Sequence, residues 1–288
     1  MWVVESFASA FSESVYNADS HQIGKRWSIE AIAWWQRAVA AAFVALCAFC
    51  LVGLPPQPEA RFWAPAAVSV TLNAGASFLY VRALRHDLSL TVPITALSPV
   101  FLLATEPLIT GRTVPAVGML GVAVIGIGLY ALNLPALRTH GVFGPIRNVW
   151  RQPGPRMMLG VIVIWAVTAP LDAVAVRAWN PLWYAAVLHG GIGVILTPFC
   201  WRKPQALAPA RHDRLRLASL GLLSGFGSMM QMLAISAAPA TFVIAIRRFS
   251  APLSAVWGSL FFKEPHVRSR LLGAFVMAIG AALILSSL

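Results

Sequence analysis

Charge is what this sequence has least of. Charged residues fill 11% of 288 positions and the mean hydropathy is +0.73, whereas a soluble domain carries about 25% charged residues. That shortage excludes a water-soluble globular chain and leaves a polytopic membrane protein. Acids are scarcer still, with 10 Asp and Glu against 22 Lys and Arg for a net charge of +12. On a soluble protein such an excess would point to nucleic acid. Here there is no phosphate-binding glycine loop, metal-ligand cluster or aromatic-interleaved basic run, so neither nucleic acid, metal nor cofactor is expected. Cys47, Cys50 and Cys200 lie in apolar segments, read as packing residues without a disulfide framework. No basic region precedes the first apolar stretch, which excludes a signal peptide. No nucleophile, base and orienter share a membrane face, so the chain is not expected to be an enzyme.

What remains is a succession of apolar segments. Met1 to about Asp19 mixes Trp2, Phe7 and Phe11 with Glu5, Ser9, Ser12 and Glu13, as a polar-faced helix packed inside a bundle would. Clear spans follow at Ile29 to Gly53, Phe62 to Leu84, Leu88 to Ile109 and Pro115 to about Ala136. The second of the five closes on Pro55-Pro56-Gln57-Pro58, which cannot continue a helix. The third sets Asn73, Ser77 and Tyr80 on one face at steps of four and three. The fifth is rich in glycine, at Gly118, Gly121, Gly126 and Gly128, which lets helices approach closely. A basic connector over 137–156 divides this half from a second set of spans: Met157 to Ala178, Pro181 to Phe199, Leu217 to Ser236, Ala240 to Phe262 and Leu271 to Leu285. Ten spans, five and five, predict an all-α membrane protein. Several tryptophans near span ends read as interface anchors.

The ninth span is the costly one. Arg247 and Arg248 lie near its middle, roughly 10 Å from the near end of a helix rising about 1.5 Å per residue. A central arginine costs about 2.5–3.5 kcal/mol on insertion scales, so two need a protein or aqueous partner. One reading is an anion site, because the forked guanidinium donors suit phosphate and carboxylate. The other is pairing with the buried acids Glu13, Glu106 or Asp172. Arg37, embedded beside Gln36 in the second span, has the same choice. His189 either lines a cavity or bonds a carbonyl. Tyr80, Asn73 and Gln231 either bind a polar substrate or hold helices together. Asp172 and Arg177 are expected to form a surface ion pair.

The halves also repeat. Ser98 and Ser250, Gly121 and Gly273, and Gly128 and Gly280 each differ by 152. A shift of 151 superposes Ser77 on Ser228 and Ala83 on Ala234. Leu97-Ser98-Pro99-Val100-Phe101, together with Phe261-Phe262-Lys263-Glu264-Pro265 and then Gly273 and Gly280, resembles the EamA repeat of the drug/metabolite transporter superfamily. That pattern has Ser-Pro in a fourth helix, a Gly-Glu-like turn, and glycines nine and sixteen residues beyond the Glu. In the first half Gly111-Arg112 stands where the turn's acid is expected, a departure.

The resemblance implies ten transmembrane helices as two inverted five-helix repeats, 1–136 and 157–288, with a substrate site between halves near the midplane. Phosphate translocators of the superfamily are similar in carrying a dibasic pair in the ninth helix, which favours the anion reading of Arg247 and Arg248. The setting of Glu13 is similar to the first-helix glutamate of small multidrug-resistance proteins, implying a proton or counter-ion site; the alternative is a salt bridge to Arg37 or Arg247.

Charge placement bears on orientation. Lys25, Arg26, Arg82, Arg85, the connector arginines, the Arg202–Arg216 loop and Lys263, Arg268 and Arg270 fall on one side, against Arg61, Arg112 and Arg177 on the other. Positive-inside reasoning puts both termini outside, whereas the resemblance implies both cytoplasmic.

The function expected is a multi-pass secondary transporter of the cytoplasmic (inner) membrane that moves a small anionic or zwitterionic metabolite by alternating access, with membrane lipids as partners and a proton as candidate coupling ion. The first alternative is a flippase for a phosphate-linked lipid, the second a non-transporting membrane subunit or sensor.

Overall fold

The computed structural model describes residues 1–23, 27–83, 86, 92–132, 152–201, 211–250, 252–253 and 267–287. Most of the basic connector, much of the loop bases, the turn Phe261 to Pro265 and the end of the arginine segment lie outside the described residues.

Ten α-helices stand among the described residues, with no strand: α1 (Trp2–Ile23), α2 (Ile29–Val52), α3 (Trp63–Ala83), α4 (Ser98–Thr110), α5 (Ala116–Leu132), α6 (Pro153–Ala178), α7 (Pro181–Trp201), α8 (Arg211–Ala237), α9 (Ala240–Arg247) and α10 (Val267–Ser286). Five stretches, within α2, from Ala60 through α3, and within α6, α7 and α8, are long and apolar enough to cross a bilayer; α4, α5 and part of α10 are shorter apolar helices. The surface is inverted relative to a soluble protein. Leu46, Leu51, Leu108, Ile127, Val194 and Phe275 are exposed, while Ser6, Ser9, Ser12, Ser14 and Ser69 are buried. Such a surface suits hydrocarbon as solvent.

Local chemistry sets the ends. Ser28 caps α2, its Oγ accepting from Ala31 N at 3.2 Å, and Gly53 closes the helix at φ 86°, a conformation that side chains resist. Asn180 caps α7, its Oδ1 accepting from Leu182 N at 2.9 Å and Trp183 N at 3.2 Å, with Pro181 at the first helical position. Gly111 ends α4 in the left-handed region at φ 69°, its N–H donating to Pro107 O at 3.0 Å. The glycine of the Gly111-Arg112 turn is thus required by the backbone, and nothing in that cap demands an acid next to it.

The chain forms two compact units, each drawn from both sequence halves: 1–78 with 171–237, and 79–170 with 238–288. In the first, α7 packs on α2, and α8 packs on both α1 and α2. Gly225 of α8 lets Ala40 and Phe43 of α2 approach, where an added Cβ would come within 3.0 Å of the Phe43 ring. The serine face of α1 is buried on α8, Ser9 Oγ donating to Gly227 O at 2.8 Å and Ser12 Oγ to Leu223 O at 2.6 Å. A helix too polar to be counted by hydropathy is thereby accommodated, as its mixed sequence leads one to expect.

In the second unit, α5 and α10 meet through glycines. A Cβ on Gly121 would lie 2.6 Å from Gly280 O, and one on Gly128 would lie 2.8 Å from Gly273 O. Because 121 opposes 280 while 128 opposes 273, the helices run antiparallel. Thr105 of α4 repairs a defect in α6: Pro170 has no N–H for the carbonyl four residues back, and Thr105 Oγ1 donates to that Ala166 O at 2.5 Å.

Three expectations are corrected here. Cys50 is exposed on α2 and is not a packing residue, unlike buried Cys200. Asp172 is buried, not at the surface. The ninth span is not one continuous helix: α9 stops at Arg247, Arg248 and Phe249 form a turn, and helix resumes at Ser250. Phe249 N donates to Ile246 O at 2.9 Å, a tightened three-residue closure in place of the four-residue bond. The equivalent place in the first half, subtracting 152, is the 3-10 segment Val92–Leu97 that precedes Ser98. A 3-10 segment thus leads into Ser98 in one half, and a turn leads into Ser250 in the other.

Candidate functional site

Within the first unit, polar side chains of α2, α3, α6 and α7 connect into one track. Arg37 donates from Nη1 to His189 Nδ1 at 3.1 Å and from Nη2 to Ser77 Oγ at 3.2 Å. A guanidinium cannot accept, so His189 accepts at Nδ1 and carries its proton on Nε2. Ser77 Oγ donates to Asn73 O at 2.8 Å, and Asn73 Nδ2 donates to Ser69 O and Oγ at 3.0 and 3.1 Å. Ser69 Oγ then donates to Asp172 Oδ1 at 2.5 Å, as does the Tyr184 hydroxyl. The stripe on α3 thus extends back by one further step of four, to Ser69, and joins an arginine to an aspartate through neutral groups.

Arg37 and Asn73 are brought together here with His189, which meets the guanidinium. Tyr80 belongs to the second unit and packs against Trp165, the rings tilted at 45° with centroids 5.4 Å apart. Gln231 is buried on α8. Glu13 is half-buried on α1. Beside it Tyr16 lies within the field of both Glu13 and Arg37, and its hydroxyl donates to Gln36 Oε1 at 3.1 Å. Gln36 Nε2 in turn donates to Ser224 Oγ at 2.9 Å.

The second unit holds Arg247 and Arg248, the latter buried at 7% exposure. They lie at the C-terminal end of α9, where cations complement the helix dipole. Its N-terminal end follows Pro239, which cannot cap. Glu106 of α4, fully buried, caps the helix instead, with Ala240 N donating to Oε1 and Thr241 N to Oε2, each at 2.7 Å. Both Glu106 oxygens are engaged with backbone, and Asp172 with hydroxyls. The eight-residue α9 therefore has an anion at one end and two cations at the other. Residue 258, the repeat equivalent of Glu106, is glycine, and Thr95 and Ala96 stand opposite the arginines. Neither charge is duplicated.

The residues missed by sequence were Ser69, Tyr184 and the capping role of Glu106. Ser69 could have been found by extending the Asn73–Ser77 face backward; the other two depend on contacts between distant segments.

Charged and polar side chains buried beneath exposed apolar surfaces, with a turn inside the arginine segment, define a polytopic membrane protein. Residues 152–286 match the EamA-like transporter family. That match spans the part of the chain that carries Glu264, Gly273 and Gly280. A solved structure, titled only as the crystal structure of a protein, is similar in fold over 99% of this chain and 98% of its own, with a TM-score of 0.80 at 12% identity. No curated protein matches the sequence.

Proposed function

We propose that this membrane transporter moves a small anionic or zwitterionic metabolite by alternating access, in the cytoplasmic membrane, with Arg247 and Arg248 holding the anionic group. The observation that carries this reading is the break at Arg248–Phe249. A turn inside an apolar segment frees backbone groups and presents two guanidinium groups at a helix end, the kind of discontinuity at which secondary transporters bind ions and substrates. The unduplicated charge, in a sequence that repeats with a shift of 152, also supports it. A purely structural role for the arginines would more naturally recur in both halves.

In this reading the two sequence repeats, 1–136 and 157–288, are inverted relative to each other. The reciprocal pairing of Gly121 with Gly280 and Gly128 with Gly273 supports that, since a two-fold axis exchanges the members of each contact. Arg37 assists substrate binding through its fork to His189 and Ser77, Gln231 and Asn73 supply hydrogen bonds, Tyr80 adds a further polar group, and Glu13 balances the charge of Arg37.

The test is counterflow by purified protein in liposomes, loaded in parallel with pools of anionic and cationic metabolites. Exchange of the anionic pool is expected; exchange of the cationic pool alone would overturn the proposal. A lipid-linked substrate is the second reading, favoured by an open apolar groove of about 420 Å³ lined by Phe43, Ser219, Leu222, Leu223 and Phe226. Movement of lipid-linked substrates only, with no exchange of soluble metabolites, would select it.

A further inference from the structure

The buried acids of the apolar helices are held in different ways. Glu106 is gripped by two backbone N–H groups, which can only donate, so its cage suits the carboxylate alone. Asp172, 4% exposed, is held by the hydroxyls of Ser69 and Tyr184, both on Oδ1. Hydroxyls donate to a carboxylate and accept from a carboxylic acid, so this cage can satisfy either form. A guanidinium in their place would fix the anion.

We propose that Asp172, with Ser69 and Tyr184, is a proton-binding site, and that its occupancy is coupled to transport. The coupling rests on the transporter reading above; the proton site does not. Taking up a proton from water converts two charge-assisted bonds to neutral ones, roughly half as strong. Ser69 also accepts from Asn73, and Asn73 leads through Ser77 to Arg37. A proton at one end of the track therefore loosens the bonds that hold the guanidinium at the other.

Ser77 and Asp172 also flank the points where the chain passes from one compact unit to the other, after Phe78 in α3 and after Pro170 in α6. Among the described residues, few groups face Asp172. Tyr184 of α7 is the titratable one, α3 offers the neutral Ser69 and Asn73, Arg177 lies five positions along α6 itself, and Arg37 is reached only through the track.

Infrared difference spectra of the full chain in liposomes, recorded between acidic and alkaline buffer, test the site directly. A carboxylic C=O band is expected on acidification. It should be lost in Asp172→Asn, shifted in midpoint in Tyr184→Phe, and kept in Glu13→Gln. Identical bands in wild type and Asp172→Asn, or an unmoved midpoint in Tyr184→Phe, would overturn the proposal. For coupling, inorganic phosphate serves as the probe. Wild type should show phosphate counterflow stimulated by a pH gradient and Asp172→Asn should lose that stimulation, while equal stimulation in the variant would refute the coupling. A titrating Asp172 band in a protein that moves no anionic probe would support the proton site and count against the transporter reading.

Discussion

Removing the Glu106 carboxylate should destabilise the second unit by more than an ordinary buried polar deletion. The side chain supplies both hydrogen bonds at the start of α9, each at 2.7 Å, and no side chain on the local chain replaces it because the N-cap is Pro239. Bonds to a charged acceptor contribute about 1.5–3 kcal/mol each. Relief from burying a carboxylate offsets part of that, and N-cap deletions alone cost about 0.5–2 kcal/mol. We therefore expect Glu106→Ala to cost about 2–4 kcal/mol, the upper part arising from two N–H groups left without an acceptor in an apolar setting. Glu106→Gln keeps one acceptor and turns its amide N–H₂ toward the other donor, so roughly half the loss is expected. The assay is thermal or denaturant unfolding of purified protein in detergent. Buried Cys200 serves as a thiol-reactive reporter of unfolding of the first unit, once Cys47 and Cys50 are replaced by serine, and tryptophan fluorescence reports on the whole. An Ala variant within about 0.5 kcal/mol of wild type, the range of an innocuous surface change, would refute the capping role.

Three further outcomes follow from packing and hydrogen bonding. Gly280→Ala places a Cβ 2.6 Å from Gly121 O and 2.8 Å from Ile125 N; backbone must shift, and the overpacking cost of about 1–3 kcal/mol outweighs the helix-propensity advantage of alanine, about 1 kcal/mol. A lowered unfolding midpoint is expected, and a raised one would mean that α5 and α10 are not in such contact. Arg37→Lys keeps the charge but cannot reach His189 and Ser77 from one planar fork; a loss of about 1–3 kcal/mol is expected in the same unfolding assay, and unchanged stability would contradict the bonded track. Thr105→Val leaves the Ala166 carbonyl, already deprived of a partner by Pro170, without its hydroxyl donor, and should cost about 1–2 kcal/mol; an unaltered midpoint would show that this carbonyl is satisfied otherwise.

How much of this was legible in the chain depends on the range of the interaction. The apolar segments of α2, α3, α6, α7 and α8, the glycine close to α2, and the Asn73–Ser77 part of the α3 stripe are local patterns, and they were legible. The Gly121 and Gly128 spacing pointed to close approach and found it in α10. The break at Arg248–Phe249 was not read from the chain, although Pro252 offered a signal: it has no N–H for the Arg248 carbonyl four residues back, while Arg, Phe and Ser are themselves acceptable within a helix. Glu106 as a cap, and Asp172 as a partner of Ser69 and Tyr184 instead of Arg177, depend on helices distant in sequence coming together. Composition identifies such acids as expensive without saying which donor relieves them. Cys50 shows the same limit in reverse, since an apolar neighbourhood does not distinguish a face turned to lipid from one turned to protein.

The central claim is that Arg247 and Arg248 bind the anionic group of a transported substrate. Its most direct test is the concentration dependence of anionic-metabolite counterflow in liposomes for wild type, Arg247→Gln and Arg248→Gln at matched protein incorporation. Either substitution is predicted to weaken apparent affinity by about tenfold or more, as the loss of a charged hydrogen-bonding partner worth at least about 1.5 kcal/mol requires. Wild-type affinity and rate in both variants would contradict it.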